Sequence, residues 1–185
     1  MSDQYPQNPS GQQPGGQPNP YNGTPQYGQQ PATGPNGEPP IWAPWYGISF
    51  GKAVGRFFKK YATFSGRASR SEFWWWYLAN VIIGIVLGVF ATIGVATSDL
   101  RVDSYTGQMS GGFSALYWIV AIISILWGLA ILVPSLALGW RRLHDANLAG
   151  PLWIIAFFVG IVGIVFGLLP SNPEGARFDQ PSGAR

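Results

Sequence analysis

"FSALYWIVAIISILWGLAILVPSLALGW", Phe113 to Trp140, runs for 28 residues without a charge and stops against "RRLHDANLAGP", Arg141 to Pro151. As an α-helix rising 1.5 Å per residue it would measure about 42 Å, more than the roughly 30 Å hydrocarbon core of a bilayer. The stretch predicts a membrane-spanning helix that tilts or protrudes. Pro134 within it lacks an amide hydrogen, so it frees the carbonyl of Ala130 and predicts a kink.

Two further segments have the length to span. Trp74–Thr97 holds 24 residues without a charge and Pro151–Leu169 holds 19. A helix needs about 20 apolar residues to cross. Pro151 suits the first turn of the third helix, where a missing N–H costs nothing. The short connection Ala146–Gly150 predicts an antiparallel hairpin of the second and third spans. The expected fold is an all-α membrane protein: a three-span domain over residues 45–181, spans near 74–97, 113–140 and 151–169, and a short C-terminal end at 182–185.

Composition agrees. Charged residues make up 10% of the chain and hydrophobic residues 47%, against about 25% charged in an average soluble domain. Nine tryptophans are available for the membrane interfaces. Cysteine is absent, which excludes disulfides, thiolate nucleophiles and Cys-ligated metal sites. The opening "MSDQYPQNPSG" has no basic segment followed by an apolar one, so it predicts no cleavable signal peptide and insertion through an internal segment.

Residues 1–44 carry 11 of the 16 prolines, 8 glutamines and 7 glycines, with Asp3 and Glu38 as the only charges. Such a stretch cannot bury enough apolar surface to offset chain entropy, and it reads as a disordered cytoplasmic tail. From Ile48 to Ala62 the pattern becomes helical. Phe50, Ala53, Val54, Phe57, Phe58 and Tyr61 share one side, and Lys52, Arg56, Lys59 and Lys60 the other. This predicts an amphipathic helix lying among lipid head groups, with anionic lipid against its basic side. Ser69-x-x-Glu72 then fits a capping box directly before the aromatic run Phe73–Tyr77.

Lysine and arginine set the expected orientation. Six precede the first span and Arg141 and Arg142 follow the second. Arg101 occupies the first loop, and Arg177 and Arg185 the C-terminal tail. Eight against three places the N-terminus and the Arg141–Pro151 connection in the cytoplasm and the C-terminus outside.

The polar residues worth weighing for a site are Arg67, Arg70, Glu72, Arg141, Arg142, His144 and Asp145. Asp145 stands one helical turn from Arg141 and can pair with it. Arg142 can reach Glu72 if the first two spans are neighbours. The four arginines together can hold a phosphate bidentately. His144 is the single histidine, which excludes a multi-histidine metal site, and adjacent residues on a helix do not face each other, so His144–Asp145 is a poor dyad. No metal, cofactor or catalytic residue is expected, and no nucleic-acid partner. Small residues four apart, Gly84/Gly88, Ser124/Gly128 and Gly163/Gly167, predict close helix packing within the chain or, alternatively, a homo-oligomeric seam.

"KKYATFSGRASRSEFWWWYL" and "RRLHDANLAGPLW" resemble a family of small bacterial inner-membrane proteins, domain-of-unknown-function family 805. The resemblance spans about Trp45–Pro181 and is carried by Phe64–Trp74 and Arg141–Asp145. It implies three membrane helices and assigns no activity. The tail "PSNPEGARFDQP" keeps that family's Asn172, Asp179 and Pro181 but lacks its Tyr-Gly pair. Together these readings predict a non-catalytic plasma-membrane component that binds lipid or a membrane-protein partner. A subunit of a small oligomeric transporter or channel, using Asn80 and Ser124, is the alternative.

Overall fold

The structure is a computed structural model that describes Gly34 and residues 37–179. In chain order the elements are α1 (Phe50–Lys59), α2 (Arg70–Ala96), β1 (Asp99–Val102), β2 (Met109–Gly112), α3 (Ala115–Asp145), α4 (Trp153–Phe158) and α5 (Gly160–Leu168). Short 3-10 turns cover Gly150–Leu152 and Pro173–Phe178.

The long pair α2 and α3 is the frame. Their 27 and 31 residues have mean hydropathies of 2.4 and 2.5, long and apolar enough to cross a membrane. They run antiparallel. The amide of Ala68 reaches the Arg141 carbonyl at one end, and the Trp127 indole reaches Asn80 Oδ1 farther along. At the far end Gly94 lies against Tyr117, where a Cβ would sit 2.8 Å from the Tyr117 backbone. The capping box forms as the sequence predicts, with Glu72 N donating to Ser69 Oγ (3.2 Å) and Ser69 N to Glu72 Oε2 (2.8 Å). Ile85 and Ile125 are 61% and 63% exposed, while Lys60, Arg141, Arg142 and Asp145 are at most 1% exposed. Exposed aliphatics over buried charge invert the soluble pattern and suit a chain surrounded by hydrocarbon.

Pro134 lies inside α3, and the carbonyl it frees at Ala130 accepts a 2.6 Å hydrogen bond from the Tyr61 hydroxyl. Tyr61 follows α1, so the proline's lost bond is recovered from a different element. Tyr61→Phe should therefore lower stability by about 1 kcal/mol, the usual contribution of such a bond. Thermal unfolding in detergent checks this.

Three expectations change. The connection between the long helices is a β-hairpin with Asp99 opposite Gly112, so the fold is not purely α-helical. Its strands are only four residues long: Asp-Leu-Arg-Val alternates for too few residues to read, and Met-Ser-Gly-Gly does not alternate. Its turn is held by Asp103 Oδ1, which accepts from the amides of Tyr105 and Thr106.

The tail boundary also moves. Residues 37–44 belong to the folded body: Ala43 is fully buried, and Arg56 grips the carbonyls of Pro40 and Ala43 at 2.7 and 2.6 Å. Apart from Gly34, the rest of the expected disordered tail lies outside the described residues, as does Pro181.

The largest change concerns the third apolar segment, which is two short helices rather than one span. Val159 leaves helical geometry (φ −122, ψ 87), and α5 folds back along α4. The Trp153 and Phe166 rings are 6.1 Å apart, whereas 13 residues of straight helix would separate them by about 20 Å. Apolar composition alone cannot distinguish a span from a folded-back pair of the same length. The chain thus returns to the end it left. Asn172 N donates to the Asp145 carbonyl and Gly66 N to that of Phe178. Residues 171–179 sit beside Arg141–Asp145, which contradicts a C-terminal tail on the opposite side.

The expected packing stripes are only partly used. A Cβ at Gly84, Gly88 or Gly128 would meet nothing within 4 Å, and Ser124 Oγ bonds its own helix at Val120. Gly163 makes ordinary contact with Ala156 and Trp153, and Gly167 lies under the Phe73 ring. Gly139, beneath the Trp153 indole, was not among the expected positions.

Candidate functional site

At the end of the α2–α3 pair that carries Arg141–Asp145, five segments meet: residues 38–47, α1, the loop 64–69, the end of α3 and the tail 171–179. The loop can thread between them because Gly66 has φ +78 and no side chain. A Cβ there would sit 2.2 Å from the Trp42 carbonyl oxygen.

One charge centre is Glu72. Arg56 Nε lies 2.7 Å from Glu72 Oε1 and Lys60 Nζ lies 3.6 Å from it. Trp45 N, at 3.3 Å, and Ser69 N donate to the other oxygen. The basic side of α1 is therefore split. Arg56 and Lys60 face inward and are buried, whereas Lys52 and Lys59 remain exposed. Amphipathic spacing identified the helix, but arginine and lysine looked alike on either face. Arg142 does not pair with Glu72; that position is taken by α1.

Asp145 forms the second centre. Arg142 Nη1 donates to Asp145 Oδ2 at 2.8 Å, Tyr46 Oη to Oδ1 at 2.9 Å, and Ser171 Oγ to Oδ2 at 2.5 Å. Arg142 also donates from Nε to the Gly167 carbonyl (3.3 Å) and from Nη2 to that of Leu169. Its guanidinium thus caps the carbonyl end of α5 while its charge is met by Asp145, both groups being fully buried. Asp145 does not pair with Arg141, whose Nε donates to the Ala137 carbonyl at 3.1 Å. An i+3 pairing replaces the expected i+4 one because Arg142, not Arg141, faces the returning tail. Burial and the adjacent Asp145 carboxylate push the Tyr46 phenol above its ordinary range, so it stays a donor.

The third contact ties in the tail. Arg67 Nε lies 2.9 Å from Asp179 Oδ2. The His144 ring stacks on Phe178 at 4.0 Å and 3°. His144 Nδ1 is 3.0 Å from the Gly66 carbonyl, which can only accept, so this nitrogen carries the proton. The four arginines do not form a shared phosphate fork. Arg67 and Arg142 hold carboxylates and Arg141 a carbonyl, and Arg70 alone of the four is exposed. Tyr46, Arg56, Lys60, Ser171 and Phe178 were absent from the expected cluster. The only readable trace of the tail's part was Asn172 and Asp179 in the family pattern.

The two motifs, Phe64–Trp74 and Arg141–Asp145, thus close on each other and on the returning tail. A family model described as protein of unknown function, DUF805, matches residues 61–180. The chain belongs to the DUF805 family. It is similar to the inner membrane protein YhaI of Escherichia coli K12, 35% identical over 117 residues, covering 63% of this chain and 80% of that protein. It is also similar to the inner membrane protein YhaH of the same strain, 30% identical over 125 residues, covering 65% of this chain and 87% of that protein. No solved structure matches. The matched region starts after α1, so Arg56 and Lys60, which hold Glu72, lie just ahead of this DUF805 match.

Lys60 provides a titration test. Burial lowers its pKa from 10.5 to about 7, against the opposing pull of Glu72. The unfolded state therefore binds more protons than the folded state between about pH 7 and 10, and stability rises with pH across that window. The gain from pH 7 to 9 should be on the order of 1–2 kcal/mol. Thermal unfolding of Lys60→Met should lack this slope.

Proposed function

We propose that the chain is a multi-pass inner-membrane protein with the site end in the cytoplasm. We read it as a non-catalytic component that binds anionic lipid there. The observation that carries the reading is that the cluster's carboxylates, Glu72, Asp145 and Asp179, are each met by cations and donors within the chain. That arrangement suits a structural latch. The cations facing outward at this end include Lys52, Lys59 and Arg70, beside exposed Phe50, Phe58 and Trp75. Cations next to a ring of aromatics suit the head-group layer.

The basic asymmetry supports the orientation more strongly once the tail is relocated. Among the described residues, nine lysines and arginines lie toward the site end and only Arg101 in the opposite hairpin. Each surface cation contributes about 1 kcal/mol at an anionic membrane, screened by salt. The test is thermal stability of the full chain in nanodiscs of phosphatidylglycerol or phosphatidylcholine. Phosphatidylglycerol should stabilise, salt should weaken the effect, and Lys52→Gln/Lys59→Gln/Arg70→Gln should remove it. Equal stability in both lipids would overturn the lipid-binding reading.

A second reading, a subunit of a small oligomeric transporter or channel, draws on the broken third segment. Non-helical backbone at membrane depth is tolerated where protein buries it or where it lines a cavity, and transporter sites are commonly built on such breaks. The break borders a cleft that also exposes Asn80. Solute flux in proteoliposomes that Asn80→Leu abolishes would favour this reading.

A further inference from the structure

Glu72 faces a surplus of buried cations. Arg56 and Lys60 approach its Oε1 from α1 and its C-cap, at 2.7 and 3.6 Å. Arg141 joins them from α3, 1% exposed and in the field of Glu72. Its Nη2 is buried and has no hydrogen-bond partner among the described residues. The neighbouring carboxylates are engaged: Asp145 with Arg142, and Asp179, which feels the charge of Lys60, with Arg67. From residues 38–47 Lys60 meets the Ala43 carbonyl, at 3.4 Å. Three cations around one carboxylate leave two buried charges unmatched, which is costly. Arginine keeps its proton, whereas a buried lysine can release one. Lys60 is therefore the adjustable charge of the cluster.

We propose that α1 is a pH-controlled strap: when Lys60 takes up a proton, α1 swings out with Arg56 and Lys60, and Arg141 Nη2 takes their place on Glu72. The switch operates without lipid and is independent of the reading above. Several features make α1 the element that moves. Gly51 and Gly55 lie inside its ten residues, and glycine weakens a helix. Gly47, with φ +70, lets the chain turn just ahead of it. Both ends stay tied, by Tyr46 to Asp145 and by Tyr61 to the Ala130 carbonyl, so the release is local. It uncovers the Trp76 ring on which Phe57 stacks at 3.4 Å. The sign follows from linkage. Burial lowers the docked Lys60 from 10.5 to about 7, and release returns it to its ordinary value. The released state thus binds more protons between those limits, so docking weakens as pH falls through that window and levels off below about 7.

The test uses the full chain in detergent, with single cysteines labelled by a water-soluble thiol reagent. Ala53→Cys lies buried in α1 and Ala68→Cys in the core beside Phe57, at 2% and 0% exposure. Each rate is divided by that of Lys59→Cys, exposed in either state, which removes the thiol's own pH dependence. Between about pH 8.5 and about pH 6.5 both ratios should rise about twenty-fold. Ala156→Cys, on α4 and 7% exposed, should stay unchanged. Lys60→Met should flatten the rise. Arg141→Gln should lower both ratios at the acid end, since it removes the cation that replaces α1. Flat ratios in the parent chain, or the same rise in Lys60→Met, would overturn the proposal. So would a parallel rise at Ala156→Cys, which would mark unfolding of the whole chain, or an Arg141→Gln variant that opens as readily as the parent.

Discussion

Arg142→Ala is expected to destabilise the protein by about 3–5 kcal/mol, the range for removing one partner of a buried ion pair. Asp145 would keep the Tyr46 and Ser171 hydroxyls but lose its cation, at zero exposure. The carbonyls of Gly167 and Leu169 would lose the donor that ends α5. Because one guanidinium serves three acceptors, Arg142→Lys should retain the charge and still lose most of the stability. Arg141→Lys should cost under about 1.5 kcal/mol, since Arg141 makes a carbonyl bond and, among the described residues, no ion pair closer than 4 Å. Thermal unfolding in detergent separates the two arginines. Limited proteolysis provides the structural readout, with residues 168–179 released in Arg142→Ala and protected in Arg141→Lys. Equal losses at the two positions would contradict the division of roles.

Glu72→Gln is expected to cost as much, for the opposite reason. The substitution is nearly isosteric, and an amide oxygen can still accept from Ser69 N. It leaves Arg56 and Lys60, 6% and 1% exposed, without the carboxylate they share, and Arg141 lies in the same field. Burying uncompensated cations costs about 3–5 kcal/mol. Removing one of them should restore part of the loss, so Glu72→Gln/Lys60→Met should be more stable than Glu72→Gln alone. A double-mutant cycle on thermal unfolding measures the coupling, expected at about 0.5–3 kcal/mol for contacting residues. Additive losses would show that Lys60 is not held by Glu72.

The long helices were legible because a charge-free run longer than a bilayer has few other uses, and Ser69-x-x-Glu72 located the start of α2. The two motifs were legible as a polar cluster because topology had to bring both to one end. Partner choice within the cluster was not. Sequence spacing made Arg141–Asp145 the natural i+4 pair, yet helix rotation aims Arg142 at the tail and Arg141 toward Glu72. Pro134 announced a free carbonyl at Ala130 without saying that Tyr61 would claim it. The α4–α5 turn was hidden for a physical reason. Val159 and Gly160 are as apolar as a span requires, and the change of direction is set by Trp153 packing on Gly139 and by Arg142 capping α5, both long-range. Misreading that turn also misplaced the tail, and with it Asp179 and Phe178.

The account's central claim is that the third apolar segment folds back and returns residues 171–179 to the side of the site. With no cysteine in the chain, single cysteines report accessibility cleanly. Lys59→Cys, Tyr105→Cys and Glu174→Cys place them on α1, in the fully exposed hairpin turn and in the exposed part of the tail. With a membrane-impermeant maleimide on intact spheroplasts, only Tyr105→Cys should react, and Lys59→Cys and Glu174→Cys should react together once the membrane is opened. Glu174→Cys reacting alongside Tyr105→Cys before the membrane is opened would mean that the segment crosses, and would contradict the account.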